Sequence, residues 1–168
     1  MTEDNFVDYV SLNVISGNGG RGSSHLRREK FMAKGGPDGG DGGNGGDIIF
    51  RGDANIWTLY TFKFKKHFKA GHGGDGGRNK RTGKKGEDII IKVPLGTTII
   101  EKKSDKLLAE ITENNKEIVL FRGGLGGRGN SHFKSPTNQA PRYAQPGKDV
   151  VEGWFILELK IALSTSFW

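Results

Sequence analysis

The sequence predicts an all-β fold in which a β-barrel or sandwich base carries a bundle of glycine-rich, left-handed helices of the polyproline II type. Three observations support this prediction. Glycine accounts for 28 of the 168 residues, apolar side chains are concentrated in short β-branched or aromatic runs, and no window shows a capped helical period. Because only 33% of the residues are hydrophobic, the core must be built from part of the chain.

The base is predicted from eight short runs that have the composition of β-strands. The first, residues 10–14, alternates apolar and polar side chains, as a half-buried strand does. The other runs are residues 47–50, 56–64, 88–93, 97–101, 107–112, 117–121 and 154–160. Asn114 and Asn115 predict a hairpin turn between the two runs that flank them.

Three glycine-rich excursions separate these runs, at residues 16–46, 66–87 and 122–147. Four clusters within them hold 22 of the 28 glycines, in part as a repeating Gly-Gly-X unit. The clusters are residues 17–22, 35–46, 71–77 and 123–129.

A flexible linker is the commoner interpretation of a glycine tract, but a linker needs no three-residue period and does not interrupt one small domain repeatedly. A polyproline II helix has three residues per turn and no internal hydrogen bonds. A Gly-Gly-X repeat in that conformation leaves two bare edges, where neighbouring backbones can approach and exchange hydrogen bonds. We therefore expect an ordered bundle. The glycines assigned to its packing are Gly35, Gly36, Gly39, Gly40, Gly42, Gly43, Gly45, Gly46, Gly73, Gly74, Gly76, Gly77, Gly123, Gly124, Gly126 and Gly127.

The net charge of +7 is concentrated on the excursions. Residues 63–86 contain nine lysines and arginines and a single acid, Asp75. A basic patch is most often a solvated surface, but this one coincides with the excursions and with aromatic side chains such as Phe68, Phe133 and Tyr143. Clustered cations bind phosphates and aromatic rings stack on unpaired bases, so the pattern favours a nucleic-acid partner.

No segment carries a complete nucleotide-binding or calcium-binding motif. Residues 17–22 match the dinucleotide fingerprint Gly-x-Gly-x-x-Gly, but a charged stretch follows them instead of an apolar helix. Residues 42–50 match one calcium-binding nonapeptide, a type of site that needs stacked copies. Residues 83–84 supply only the Gly-Lys of a Walker loop, without its first glycine or its Ser/Thr.

The remaining polar residues indicate no active site. Four histidines are scattered without metal-ligand spacing, and the absence of cysteine excludes thiolate ligands and disulfides. Asp41 and Asp75 are expected only to decorate the exposed edges of the glycine helices. No catalytic residue, metal or cofactor is therefore assigned to this chain.

No apolar run approaches the roughly 18 residues of a membrane span and no signal peptide is evident, so a cytoplasmic location is expected.

Ordered motifs from Phe6 to Lys160 resemble the amino-terminal domain of the Obg GTPases. The segments that carry this resemblance are residues 6–10, 27–31, 35–43, 86–88, 93–97, 130–133, 137–142 and 157–160. The resemblance implies the Obg fold, with residues 1–160 as one domain and six glycine helices on its β base. Residues 161–168 do not match the family, in which a GTPase domain follows, and are interpreted as a truncation or fragment end.

The resemblance also implies a role on the ribosome. Obg proteins act on the large subunit during its maturation and in stress responses, and their amino-terminal loop tips reach towards the peptidyl-transferase centre. We accordingly expect a monomeric rRNA-docking module without enzymatic activity of its own, GTP and Mg²⁺ belonging to a GTPase domain absent from this chain. The residues predicted to bind rRNA are Arg27, Arg28, Lys30, Lys80, Arg81, Lys84, Lys85, Arg128, Lys134 and Arg142.

A protein-interaction or regulatory domain is the alternative function. In that case the flat faces of the glycine helices would dock a ribosomal or stress-response protein, and the basic residues would serve only to keep the domain soluble.

Overall fold

The computed structural model describes residues 9–28 and 35–159. These residues contain two short 3-10 helices, Tyr60–Lys63 and Asn130–Phe133, and eight strands. The strands are β1 (Tyr9–Ile15), β2 (Ile48–Gly52), β3 (His67–Lys69), β4 (Ile89–Val93), β5 (Thr97–Glu101), β6 (Lys106–Ile111), β7 (Glu117–Phe121) and β8 (Glu152–Leu159).

The strands form two mixed sheets that share one core. The five-stranded sheet has the order β3-β1-β8-β5-β6 and the three-stranded sheet the order β4-β2-β7. Leu12 and Phe155 from the larger sheet and Phe50 and Ile91 from the smaller one lie in the same buried cluster. The all-β prediction is therefore confirmed, and within the described residues the base is a sandwich rather than a closed barrel.

The predicted strand at residues 56–64 is wrong. Leu59 and Phe62 are buried, whereas Trp57 and Phe64 are largely exposed. Burial at positions three apart fits the 3-10 helix in this segment, because residues i and i+3 of such a helix share a face. The aromatic composition of this segment suggested a strand. In so short a run, however, the apolar residues do not distinguish the period of two of a strand from the period of three of a 3-10 helix. The strand of this region, β3, lies in the lysine-rich segment that follows.

The predicted hairpin at Asn114 and Asn115 is also wrong. Asn115 does adopt a turn conformation, with a φ of 64°. However, β6 pairs with β5 in the larger sheet, and β7 pairs with β2 in the smaller one. The turn therefore carries the chain from one sheet to the other and does not join paired strands.

Six extended segments project from this base, and we call them together the glycine bundle. They are residues 16–28, 35–47, 70–77, 81–88, 122–129 and 141–151. Backbone hydrogen bonds join them laterally, including Gly43 N to Gly74 O at 2.8 Å and Gly127 N to Gly20 O at 2.9 Å. The bonds that these extended segments lack internally are thus made between neighbours.

Glycine is required in the bundle because the backbones approach too closely for a side chain. A Cβ atom at Gly42 would lie 1.9 Å from the carbonyl oxygen of Gly20, and one at Gly43 would lie 2.2 Å from that of Lys84. All the glycines assigned to packing from the sequence, except Gly36, Gly74 and Gly77, would place a Cβ 1.8–2.4 Å from a neighbouring carbonyl oxygen. None of these glycines has a positive φ, so the missing side chain and not the backbone conformation explains them.

The third residue of each Gly-Gly-X repeat supplies further hydrogen bonds. Through their Oδ1 atoms, Asp41, Asn44 and Asp47 accept bonds of 2.8, 2.9 and 2.6 Å from backbone N–H groups of segment 122–129. Asp75 accepts a backbone bond of 3.0 Å from the first segment in the same way. The expectation that Asp41 and Asp75 only decorate exposed edges is therefore wrong, because these side chains cross-link the bundle.

Candidate nucleic-acid interface

The end of the glycine bundle farthest from the sheets is called the tip. It comprises residues 23–28, 35–39, 78–81 and 130–143. The turn in the second excursion is tight. Asn79 and Lys80 have φ values of 58° and 56°, and Arg81 N donates to Arg78 O at 3.3 Å. Two successive positive φ values define a mirror-image turn, which suits asparagine but strains lysine.

Asp38 holds this turn against the first excursion. Its backbone carbonyl accepts a hydrogen bond of 2.6 Å from Lys80 N, and its carboxylate Oδ2 accepts one of 3.1 Å from Asn79 N. The other carboxylate oxygen lies 2.5 Å from Nδ1 of His25. Asp38 itself is only 5% exposed. One buried acid of segment 35–47 thus stabilises the two positive-φ residues and contacts segment 16–28 through His25.

The surroundings of Asp38 lower the pKa of its carboxyl. Burial on its own would raise this pKa, but the hydrogen bonds with His25 and the Asn79 N–H, together with the nearby charge of Arg27, outweigh burial and hold it below the usual value of 3.8. Because the pKa is lower in the folded chain, ionised Asp38 stabilises the fold above pH 3.8. That contribution is lost as the pH falls through the folded-state pKa.

The variant Asp38→Asn is therefore expected to be less stable than the parent chain at pH 7, by about 1 to 2 kcal/mol, because hydrogen bonds to a charged group are replaced by neutral ones. The difference should shrink as the pH falls below 4. Urea unfolding as a function of pH measures it. Asp105→Asn, at an exposed turn residue, is the matched control. A difference between Asp38→Asn and the parent chain that does not change with pH would contradict this account.

Asn130 joins the remaining tip segments. It is fully buried. Its Oδ1 accepts a hydrogen bond from Gly39 N at 2.9 Å, while its Nδ2 donates to His25 O at 2.9 Å and to Pro141 O at 3.0 Å. One amide therefore fixes three segments of the tip relative to one another.

The tip concentrates positive charge around these two anchoring residues. Two recesses, of about 380 and 340 Å³, adjoin Asp38 and Asn79. Three of the seven residues that line the first recess are basic, as are four of the six that line the second. Asp38, the acid of the tip, and Asp41, which lies two residues beyond the tip in the bundle, each contact a histidine. The basic residues at the tip are Arg27, Arg28, Arg78, Lys80, Arg81, Lys134 and Arg142.

The residues predicted to bind rRNA do not all lie together. Six of them lie at the tip. The two recesses described above are lined by Arg27, Arg28, Lys80, Arg81 and Lys134, and Arg142 lines a third recess that also borders Arg28. Lys84, Lys85 and Arg128 lie on the sides of the bundle. Gly74 N donates to Lys84 O one three-residue repeat below the tip, and Lys85 Nζ forms an ion pair of 3.0 Å with Asp88. Lys30 lies outside the described residues.

Lys85 is engaged in a local structural role. A backbone hydrogen bond from Asp47 lowers the pKa of Asp88; burial opposes that effect, and the bond from Lys85 adds to the lowering. This side chain therefore stabilises the junction between the bundle and the sheets.

Two residues of the tip are not among those predicted from the sequence to bind rRNA, although Tyr143 was noted there as an aromatic residue near the basic cluster. Arg78 lines the same recess as Arg28 and Arg81. Its position within the basic run at residues 63–86 could have identified it from the sequence. Tyr143 is 54% exposed beside Arg142, with its ring 5.0 Å from that of Phe133. Arg78 belongs to the second excursion and Tyr143 to the third. Only the packing of both excursions against the first shows that the two residues lie at the tip.

The tip is suited to binding an anion and lacks the groups of a metal site. Guanidinium and ammonium groups are of the type that donates hydrogen bonds to phosphate oxygens, and the exposed ring of Tyr143 is of the type on which a base can stack. No cluster of three His, Asp or Glu side chains that could hold a metal occurs among residues 9–28 and 35–159. Over the same residues, no helix has the length and apolar character needed to cross a membrane.

A two-sheet sandwich that carries a hydrogen-bonded glycine bundle defines the class of all-β domain found at the amino terminus of Obg proteins. The comparison with protein families agrees with this class. The chain belongs to the GTP1/OBG family, whose model matches residues 7–161.

The curated relatives point to the same family. Proteins named GTPase Obg from Flavobacterium johnsoniae, Phocaeicola vulgatus and Bacteroides thetaiotaomicron are 58%, 53% and 52% identical over 161 residues. These matches cover 96% of this chain but only 48%, 41% and 42% of the relatives. The chain thus spans less than half the length of these relatives and corresponds to their Obg domain.

Proposed function

We propose that this chain is the ribosome-binding domain of an Obg-type GTPase and docks on rRNA of the large subunit near the peptidyl-transferase centre. The parent protein would hydrolyse GTP in a separate domain and act in large-subunit maturation and stress responses. The observation that carries the proposal is the convergence of seven basic side chains at the tip of the glycine bundle.

The construction of the bundle suits a probe that enters a narrow RNA cavity. Glycine backbones in direct contact make it thin, and hydrogen bonds between the segments make it stiff. Asp38 and Asn130 hold the basic turns in fixed positions before any partner binds. Such preorganisation lowers the ordering cost of binding.

The same packing favours RNA over a protein partner docked on the glycine faces. The bare edges of the repeats already meet neighbouring carbonyl groups inside the bundle, as the close approaches at Gly42 and Gly126 show. Gly36 is the one glycine among the described residues that is exposed. The faces invoked by the alternative function are therefore largely occupied within the chain.

Neutralising Arg28, Lys80 and Arg81 to glutamine is expected to weaken binding to purified large ribosomal subunits and to lower the slope of log affinity against log salt by about 2 units, because three phosphate contacts are lost. Binding is measured by co-sedimentation at several salt concentrations. The control replaces Lys92, Lys106 and Lys116, exposed lysines of the base, with the same change of net charge. Equal slopes for the two triple variants would contradict docking through the tip.

A further inference from the structure

The basic run at residues 63–86 is divided by the fold into two separate surfaces. Residues 63–69 include the edge strand β3 of the larger sheet, whereas residues 78–85 lie at the tip and sides of the bundle. The extended segment 70–77 separates them, a distance of roughly 25 Å at the rise of an extended chain. Four lysines without an acid therefore remain on the base, away from the tip.

Exposed aromatic rings lie on the outer face of the sheet beside these lysines. His67 and Trp154 pair with Asn13 from opposite sides, and their ring centroids are 5.7 Å apart. Asn13 beneath them is only 6% exposed, while Trp154 is 42% exposed. The indole of Trp154 is therefore exposed to solvent, although the opposite face of its strand, β8, packs against the core.

One cation lies against the indole and a second shares its face of the sheet. Lys102 Nζ lies 5.5 Å from the centroid of the Trp154 ring. Lys69 follows His67 by two residues on β3, so it shares the outer face of the sheet. The charged residues that line a cleft of about 600 Å³ beside Trp154 are Lys102, Lys103, Glu101 and Glu152. A flat ring, ammonium groups and hydrogen-bond acceptors are therefore available within one surface.

We propose that the surface formed by His67, Lys69, Lys102 and Trp154 binds unpaired RNA. A base would stack on Trp154 while the lysines contact the neighbouring phosphates. Stacking tolerates any base and needs one that is not already stacked in a duplex. The run of lysines from residue 63 to 69 favours a polyanion over an apolar or basic protein segment. The proposal does not depend on the tip, because it concerns a separate part of the domain.

The test measures the affinity of the whole chain for a fluorescein-labelled single-stranded RNA of about ten nucleotides, a length within the range covered by single-strand binding modules. Trp154→Ala should weaken binding about ten-fold, and Trp154→Phe should retain most of it. An RNA duplex of the same length should bind equally well to the parent chain and to Trp154→Ala. Leu107→Ala, an exposed apolar residue of the opposite edge strand, is the matched control.

Repeating Trp154→Ala in the Arg28, Lys80 and Arg81 triple variant separates this surface from the tip. The loss should be the same factor in both backgrounds, since distant sites act additively. If Trp154→Ala does not fold, a double variant that changes only exposed lysines, Lys69→Gln with Lys102→Gln, takes its place. Its affinity for single-stranded RNA should fall at least three-fold. The control double variant, Lys92→Gln with Lys106→Gln, should keep the affinity of the parent chain. Unchanged single-strand affinity in these variants, or an equal loss of duplex affinity in Trp154→Ala, would overturn the proposal.

Discussion

Replacing Gly42 by alanine is expected to lower the free energy of unfolding by at least about 3 kcal/mol, beyond the usual cost of overpacking. The added Cβ would lie 1.9 Å from the carbonyl oxygen of Gly20 and 2.3 Å from its carbonyl carbon. These are backbone atoms in a hydrogen-bonded bundle, so no side chain can rotate to make room. Either segments 16–28 and 35–47 separate or the chain fails to fold. Denaturant unfolding measures the loss of stability, and amide hydrogen exchange shows where in the chain it occurs.

Gly77→Ala is the matched control for this prediction. Gly77 belongs to the same bundle and also lacks a positive φ, but a Cβ there would lie 3.5 Å from Cβ of Arg81, an ordinary contact. Alanine at this position should be neutral or stabilising by up to about 1 kcal/mol, because it reduces the freedom of the unfolded chain. Equal stabilities of Gly42→Ala and Gly77→Ala would show that close backbone packing is not what fixes these glycines.

The sequence was informative about the fold where a periodicity had one structural explanation. The Gly-Gly-X repeat predicted ordered backbone packing because no linker needs a three-residue period, and the alternation in residues 10–14 predicted β1. It was misleading at residues 56–64, where aromatic composition is shared by strands and 3-10 helices. The partners of β6 and β7 were also beyond prediction, since an Asn-Asn turn is compatible both with a hairpin and with a change of sheet.

The candidate site was predictable in its charge but not in its extent. Arg28 and Arg81 are about fifty residues apart in the chain, and only the packing of the excursions brings them to one recess. Conversely, Lys85 is only four residues from Arg81 in the sequence, yet it lies on the side of the bundle, where it forms an ion pair with Asp88. Charge clusters in a sequence indicate which partner is attracted, whereas the register between segments decides which charges act together.

Asn130 shows how much of the tip depends on a single uncharged group. Its amide makes the bonds that position segments from the first and third excursions. Its bonds with Gly39 N and Pro141 O are buried, and its bond to His25 O is partly buried. An asparagine in a glycine-rich loop is ordinarily a turn residue, so composition alone gives it no special weight. In the structure it makes both donor and acceptor bonds in one place, which neither an acid nor an apolar residue can reproduce.

Asn130→Asp is accordingly expected to lower the free energy of unfolding by about 3 kcal/mol. The change keeps the acceptor for Gly39 N but removes both donors, so a buried carboxylate would face the carbonyl oxygens of His25 and Pro141. Asn44→Asp is the matched control, since Asn44 is exposed, uses only Oδ1, and has Asp at the equivalent places of the repeats on either side. Urea unfolding should show a large loss for Asn130→Asp and little change for Asn44→Asp. If both variants unfold at the same urea concentration as the parent chain, the tip is held together by its backbone hydrogen bonds and Asn130 is dispensable.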